Sequence, residues 1–151
     1  MTTHLPGRIR LLGAADHELA RATFALMSEV FETPVSPLSD AYLRRLLGSD
    51  AFVALAAVGD QDEVWGGLTA HVLPMTRTEE HELFIYDIAV APARQRLGLG
   101  RRLVGALLDE GQRRGIAVSF VPADNEDDHA LEFYRAIGGE AAPVTIFTFE
   151  R

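Results

Sequence analysis

Gln95-Arg96-Leu97-Gly98-Leu99-Gly100 follows the apolar run 83–90 (LFIYDIAV) and leads straight into a helical pattern. Two glycines let the backbone pass close to a ligand with no Cβ in the way. The first turn of a helix offers unpaired N–H groups and a partial positive charge. Strand, glycine turn and helix in that order make a cradle for an anion, a pyrophosphate above all. Two familiar phosphate loops are excluded. Gly100 is followed by Arg101 and Arg102, not by the Lys-Ser/Thr of a Walker loop, and the third glycine of a dinucleotide fingerprint would fall on Leu103. Spacing alone leaves open a phosphate cradle of another kind and a strand-to-helix turn with no ligand.

Working outward from this stretch, periodicity predicts the remaining elements. Residues 8–12 read as a strand, and Asp16 is placed to cap a helix with Leu19, Thr23, Phe24, Met27 and Phe31 at helical spacing. The segment 33–37 (TPVSP) breaks that helix, and Ser39 caps a shorter one that turns Leu43, Leu46 and Leu47 inward. Strands at 51–58 and 64–73 flank Gly59-Asp60-Gln61-Asp62, a hairpin signal. A polar loop at 76–81 precedes the strand 83–90. A helix at 100–114 carries Leu103, Val104, Leu107 and Leu108 on one face and stops at Gly115. A strand at 116–121, a helix at 128–137 ended by Gly138-Gly139, and a last strand at 144–149 complete the chain. The order β-α-α-β-β-β-α-β-α-β predicts an antiparallel meander followed by a right-handed parallel crossover. The fold class is therefore α/β with a mixed sheet, in one domain spanning 1–151.

Composition narrows the function. The chain has 151 residues, enough for a core, and 48% of them are hydrophobic, which excludes disorder. With 14 basic and 22 acidic residues its formal charge is −8. Nucleic acid and anionic membrane are disfavoured as partners, and a cationic small molecule or peptide is favoured. The absence of cysteine excludes disulfides, thiolate zinc sites and a thiol nucleophile, and the five histidines lack metal-ligand spacing, so no metal is expected. No apolar run reaches membrane-spanning length and the N-terminus lacks a signal-peptide core, so a cytoplasmic protein is expected.

Carboxylates mark the candidate acceptor side. Asp87 lies in the middle of an apolar strand, where an unpaired charge is costly, so it is either paired or functional. Glu82 precedes the same strand. Asp124, Glu126, Asp127 and Asp128 crowd the turn after the strand 116–121, the end of an α/β sheet where ligands collect. Such a pocket would attract a polycation, and a carboxylate can take the proton that an amine must lose before it attacks. The same cluster is equally read as a solvated loop with a helix cap.

The loop Gln95-Arg96-Leu97-Gly98-Leu99-Gly100 resembles the acyl-CoA loop of the GCN5-related N-acetyltransferase (GNAT) superfamily. Ala130, Tyr134 and Gly138 match the spacing of that family's second signature, although Asp127 stands where the family has asparagine. The resemblance implies a mainly antiparallel sheet whose central parallel strands splay apart. It implies that acetyl-CoA lies along Ile88, Ala89 and Val90 and over Gln95, Arg96, Leu97, Gly98, Leu99, Gly100 and Arg101. It also implies that Tyr134 contacts the cofactor and protonates the departing thiolate; otherwise Tyr134 is a half-buried anchor for its helix.

The segments 51–57, 71–74, 82–90 and 123–128 further resemble the class I aminoglycoside 3-N-acetyltransferases that confer gentamicin resistance. That likeness implies an aminoglycoside acceptor, Asp87 as general base, and Glu82, Asp87, Asp124, Asp127 and Asp128 as acceptor contacts. Asn125 and His129 depart from it. A homodimer is expected. Acetylation of polyamines or another small amine, acetylation of a protein amine, and a non-catalytic acyl-CoA sensor are the alternatives.

Overall fold

The structure is a computed structural model that describes residues 6–151; the opening residues, where a signal peptide would begin, lie outside it. The chain forms two compact units, one ending at Val121 and one beginning at Pro122.

The first unit holds one five-stranded sheet in the order β1 (Arg8–Leu11), β2 (Phe52–Val58), β3 (Val64–Pro74), β4 (His81–Val90), β5 (Val118–Phe120). The first four strands form an antiparallel meander, and β5 returns parallel to β4. The hairpin at Gly59 forms as its glycine and acid run predicts: Gly59 N–H donates to Glu63 O at 2.9 Å, and Asp62 takes φ 60°. Helices α1 (His17–Val30), α2 (Asp40–Leu47) and α3 (Leu99–Arg113) complete the unit.

The two faces of the sheet are covered differently. A Cβ on Gly67 would come within 2.4 Å of Thr23 Cγ2 and 2.8 Å of Met27 Sδ, so α1 presses on that face of β3. A Cβ on Gly111 of α3 would come within 2.8 Å of Leu83 Cδ1, so α3 covers the other. Leu68, Leu83, Leu99, Leu103 and Leu107 are at most 1% exposed there, each contributing about 1.5–3 kcal/mol by burial. Leu108, expected on the same face, is exposed.

Caps behave partly as predicted. Ser39 Oγ accepts from Tyr42 N–H at 3.1 Å and starts α2. Asp16 does not cap α1 with its side chain. Its carboxylate accepts from Gly13 N–H at 2.8 Å and from Arg10 at 2.9 Å, tying the turn to β1 instead.

The second unit contains α4 (Asp128–Ala136) and the segment after it. Asp127 caps α4, accepting from Ala130 N–H at 3.0 Å. Gly138, at φ 100°, closes the helix as Gly139 N–H reaches back to Tyr134 O at 2.8 Å. The strand expected at 144–149 does not form. Strand-forming residues make a strand only against a hydrogen-bonding edge, and no described residue pairs with these. Val144, Ile146, Phe147 and Phe149 stand 70–90% exposed.

Candidate active site

A break in the β3–β4 ladder organises the site. His71 faces Phe84 and Ala70 faces Ile85, but Thr69 faces Asp87, so Tyr86 is an extra residue without a partner. Such a bulge re-aims the side chains that follow it. Strict alternation would send Asp87 to the α3 face with Leu83 and Ile85, which are 0% and 3% exposed. The bulge turns Asp87 to the α1 face instead, where Asp87, Tyr86, Thr69 and His71 together line a cleft of about 390 Å³.

The other walls of the cleft are mostly apolar, with the hydroxyls of Ser28 and Thr33 among them. Phe24, Met27 and Phe31 come from α1 and the residue after it, Tyr42 and Leu46 from α2, and Phe52 from β2. Aromatic contacts run along the sheet through this cleft. Phe24 meets Phe52 at 6.4 Å, Phe52 meets His71 at 5.4 Å, His71 meets Tyr86 at 5.6 Å and Tyr86 meets Phe84 at 5.7 Å. Phe84 stacks on Phe120 of β5 at 5.2 Å. Burial raises the Asp87 carboxyl above its ordinary value, with the neighbouring His71 pulling it back down. A carboxylate raised in this way is a better proton acceptor.

The cofactor-side residues lie where β4 and β5 part. The parallel pair is hydrogen-bonded only between Glu82–Phe84 and Val118–Phe120. Ile88, Ala89 and Val90 pair with Leu68, Gly67 and Gly66 of β3, and β5 does not reach their other edge. The chain then passes through a single turn at Pro92–Arg94 and a loop in which Arg96 and Gly98 take φ 65° and 73°. Gly98 sits at the N-terminus of α3, whose first turn has no side-chain cap. A Cβ on Gly98 would meet nothing within 4 Å, so the space over the turn is open. Gln95 Nε2 donates to Val90 O at 3.3 Å and ties the loop to the strand. Arg94 lies 4.3 Å over the buried Trp65 ring, and Arg102 donates to Pro6 O and Gly7 O at 2.8 and 2.9 Å. Those two arginines are engaged in the fold, whereas Arg96, Leu97 and Arg101 are exposed. The Leu99 side chain is buried, leaving its backbone, with that of Gly100, at the start of the helix. An uncapped helix start beside a left-handed glycine, with exposed guanidinium groups, fits a pyrophosphate.

A matching family model covers residues 18–138: the acetyltransferase (GNAT) family. The chain belongs to the GNAT family. A solved aminoglycoside acetyltransferase from an uncultured soil metagenomic sample is 33% identical, with a TM-score of 0.88 over 95% of this chain and 98% of that one. Another soil metagenomic aminoglycoside acetyltransferase, solved with sisomicin, is 30% identical over 95% of both chains, again with a TM-score of 0.88. The [Ribosomal protein bS18]-alanine N-acetyltransferase of Escherichia coli is 33% identical over 70 residues, 46% of this chain and 47% of its own length. The match thus spans about half of that curated relative. The five-stranded mixed sheet with its splayed parallel pair and four helices is the GNAT fold.

Other expected site residues can be placed in their own units. Glu82 is half-buried on β4, five residues before Asp87, and does not line the cleft. In the second unit, Asp124, Asp127 and Asp128 are exposed. Asp124 Oδ1 accepts from Glu126 N–H at 2.9 Å, and Asp127 is the α4 cap described above. Tyr134 is partly buried on α4 and meets Phe133 at 5.2 Å. Burial first, and the Asp127 charge second, push its hydroxyl above the usual phenol value, so it holds its proton at neutral pH. One histidine does join a cluster that the spacing did not suggest. His17, Glu18 and Asp40 lie within 4.8 Å of one another, but Arg21 bridges both carboxylates and makes the group an ion-pair network.

Sequence reasoning missed Tyr86 and His71, and it read Phe24, Phe31 and Leu46 only as packing. One signal was present for Tyr86. Tyr86-Asp87 puts two polar-tipped side chains side by side in an otherwise apolar run, where a bulge can turn both toward one cleft.

Proposed function

We propose that this chain transfers an acetyl group from acetyl-CoA to an amine, and that the acceptor is the 3-amine of a gentamicin-type aminoglycoside. The observation that carries the reading is the β4 bulge, which gives the cleft a carboxylate amid apolar walls. Similarity over 95% of the chain to two aminoglycoside acetyltransferases supports the acceptor class. The 3-position rests on the sequence resemblance.

Acetyl-CoA supplies the activated acyl carbon. Gln95–Arg101 and the start of α3 hold its phosphates, and the open edge at Ile88, Ala89 and Val90 pairs with its amide-bearing arm as an added strand would. Asp87 takes the proton from the acceptor ammonium. The freed nitrogen forms the new C–N bond, the C–S bond breaks, Tyr134 gives its proton to the sulfur, and the second proton that the nitrogen sheds on becoming an amide returns to the Tyr134 oxygen. Transfer is direct, because the chain has no cysteine to carry an acetyl group. Glu82, Asp124, Asp127 and Asp128 add negative charge that draws a polycation in. The protein works as a homodimer, which would cover the exposed apolar segment 144–149.

A second reading, acetylation of a protein N-terminus, is favoured by the apolar cleft walls and by the ribosomal-protein relative. CoA release measured with gentamicin, spermidine and an alanine-led peptide tests the two readings. Gentamicin is expected to turn over fastest, with NMR of the product placing the acetyl group on the 3-amine. Faster turnover of the peptide or of spermidine, or modification elsewhere, would replace the assignment.

A further inference from the structure

Tyr86 is 61% exposed although it sits in a central strand. As the unpaired residue of the bulge it contributes nothing to the ladder register. Its ring is nonetheless held from two sides, near-perpendicular to His71 at 78° and to Phe84 at 85°. Those rings belong to the aromatic series that begins at Phe24 and ends at Phe120, so Tyr86 is braced rather than loose. An exposed aromatic costs solvation and aggregation resistance, and such rings in a cleft mark recognition surfaces. Two further exposed aromatics line the same cleft from the helical side, Tyr42 at 45% and Phe31 at 43%. Asp87 is the sole carboxylate among the lining residues. Exposed ring faces around one carboxylate are the chemistry that receives an ammonium attached to a ring or other apolar body. The ring quadrupole attracts the cation, and the faces stack on C–H surface.

We propose that Tyr86 is the acceptor platform of this enzyme: the bulge sets its ring beside Asp87 so that a cyclic amine stacks on Tyr86 while its nitrogen meets the carboxylate. Tyr42 and Phe31 form the opposite wall. This inference rests on the amine-acetyltransferase reading and adds what selects the amine. It separates cyclic acceptors from linear ones, because a flexible polyamine has charge to offer but little face to stack.

The test compares Tyr86→Ala, Tyr86→Phe and the unaltered chain with gentamicin and spermidine as probes. Tyr86→Ala is expected to raise KM for gentamicin about tenfold or more while kcat changes less than about threefold, the pattern of lost binding rather than lost chemistry. KM for acetyl-CoA should stay put, and Tyr86→Phe, which keeps the ring, should recover most of the affinity. The preference for gentamicin over spermidine should fall in Tyr86→Ala. An unchanged gentamicin KM, a loss confined to kcat, or no recovery with Phe would overturn the platform. Calorimetric titration with gentamicin keeps the two proposals apart. If no amine is acetylated but gentamicin binds, and binds about tenfold more weakly to Tyr86→Ala, the platform stands and the reaction assignment falls. If gentamicin does not bind, or binds both proteins alike, the platform falls.

Discussion

Asp87 sits where function and stability pull in opposite directions. Burial raises its carboxyl above the ordinary 3.8, and His71 offsets part of that rise. The native state therefore holds the proton more tightly than the unfolded chain does. Below pH 3.8 both states are protonated and there is no penalty; as pH rises through the raised native value, ionised Asp87 costs stability. Asp87→Asn should melt higher than the unaltered protein at pH 7, and the advantage should vanish near about pH 3. Its kcat should fall by about 10²–10⁴, with partial recovery at high pH where more acceptor is already neutral. Near-normal turnover would remove Asp87 from the role of base, and a melting difference equal at both pH values would show that its carboxyl is not raised. Tyr134 is the complementary case, since its raised phenol value keeps a proton available. Tyr134→Phe should lower kcat by about one to three orders of magnitude with acetyl-CoA affinity intact by calorimetry. Unchanged turnover would hand the protonation to water.

At the scale of elements, much of the chain was legible because its periodicities are clean. Leu103, Val104 and Leu107 keep one face of α3, and Ser39 caps α2 as its position before the apolar run requires. The glycine turn before α3 was legible for the same local reason, since φ 73° at Gly98 suits glycine. Gly98→Asp would strain that turn and put a carboxylate where phosphate oxygens belong. Acetyl-CoA affinity should fall at least about tenfold in a folded protein. Equal affinity would take the loop out of cofactor binding. The cleft was not legible, because its walls come from positions as far apart in sequence as Phe24, Phe52 and Asp87. Period-two alternation also assigns Asp87 to the wrong face, and only the ladder register reveals the extra residue. Gly67 is the hidden partner of this arrangement, since its missing Cβ lets α1 close the cleft. Gly67→Ala drives a methyl to 2.4 Å from Thr23 Cγ2. It should cost about 1–3 kcal/mol in urea unfolding and raise the acceptor KM as α1 shifts. An Ala variant as stable as the original would mean that α1 is not seated against β3.

For the whole molecule, the segment after α4 sets the problem. Val144, Ile146, Phe147 and Phe149, interrupted only by two threonines, make a strand-forming run with apolar residues on both faces, yet these side chains are 70–90% exposed. A chain with charge −8 can stay dissolved with such a patch. Leaving four large apolar groups in water still forfeits about 1.5–3 kcal/mol for each one that burial would cover. The sheet ends at β5, a strand of only three residues with Val118 and Phe120 themselves exposed. An uncovered run of strand formers is a standing invitation to strand addition. A second copy is the occupant proposed here, because each copy would then cover the same patch on the other, as two-fold symmetry requires. Light scattering on the full chain should give about twice the 16.5 kDa of one copy. Ending the chain at Ala142 should return the mass to a single copy while far-UV circular dichroism keeps the α/β signature. A full-length protein that stays single at about 100 μM, well above the Kd of a stable dimer, would show that the segment is covered by something else.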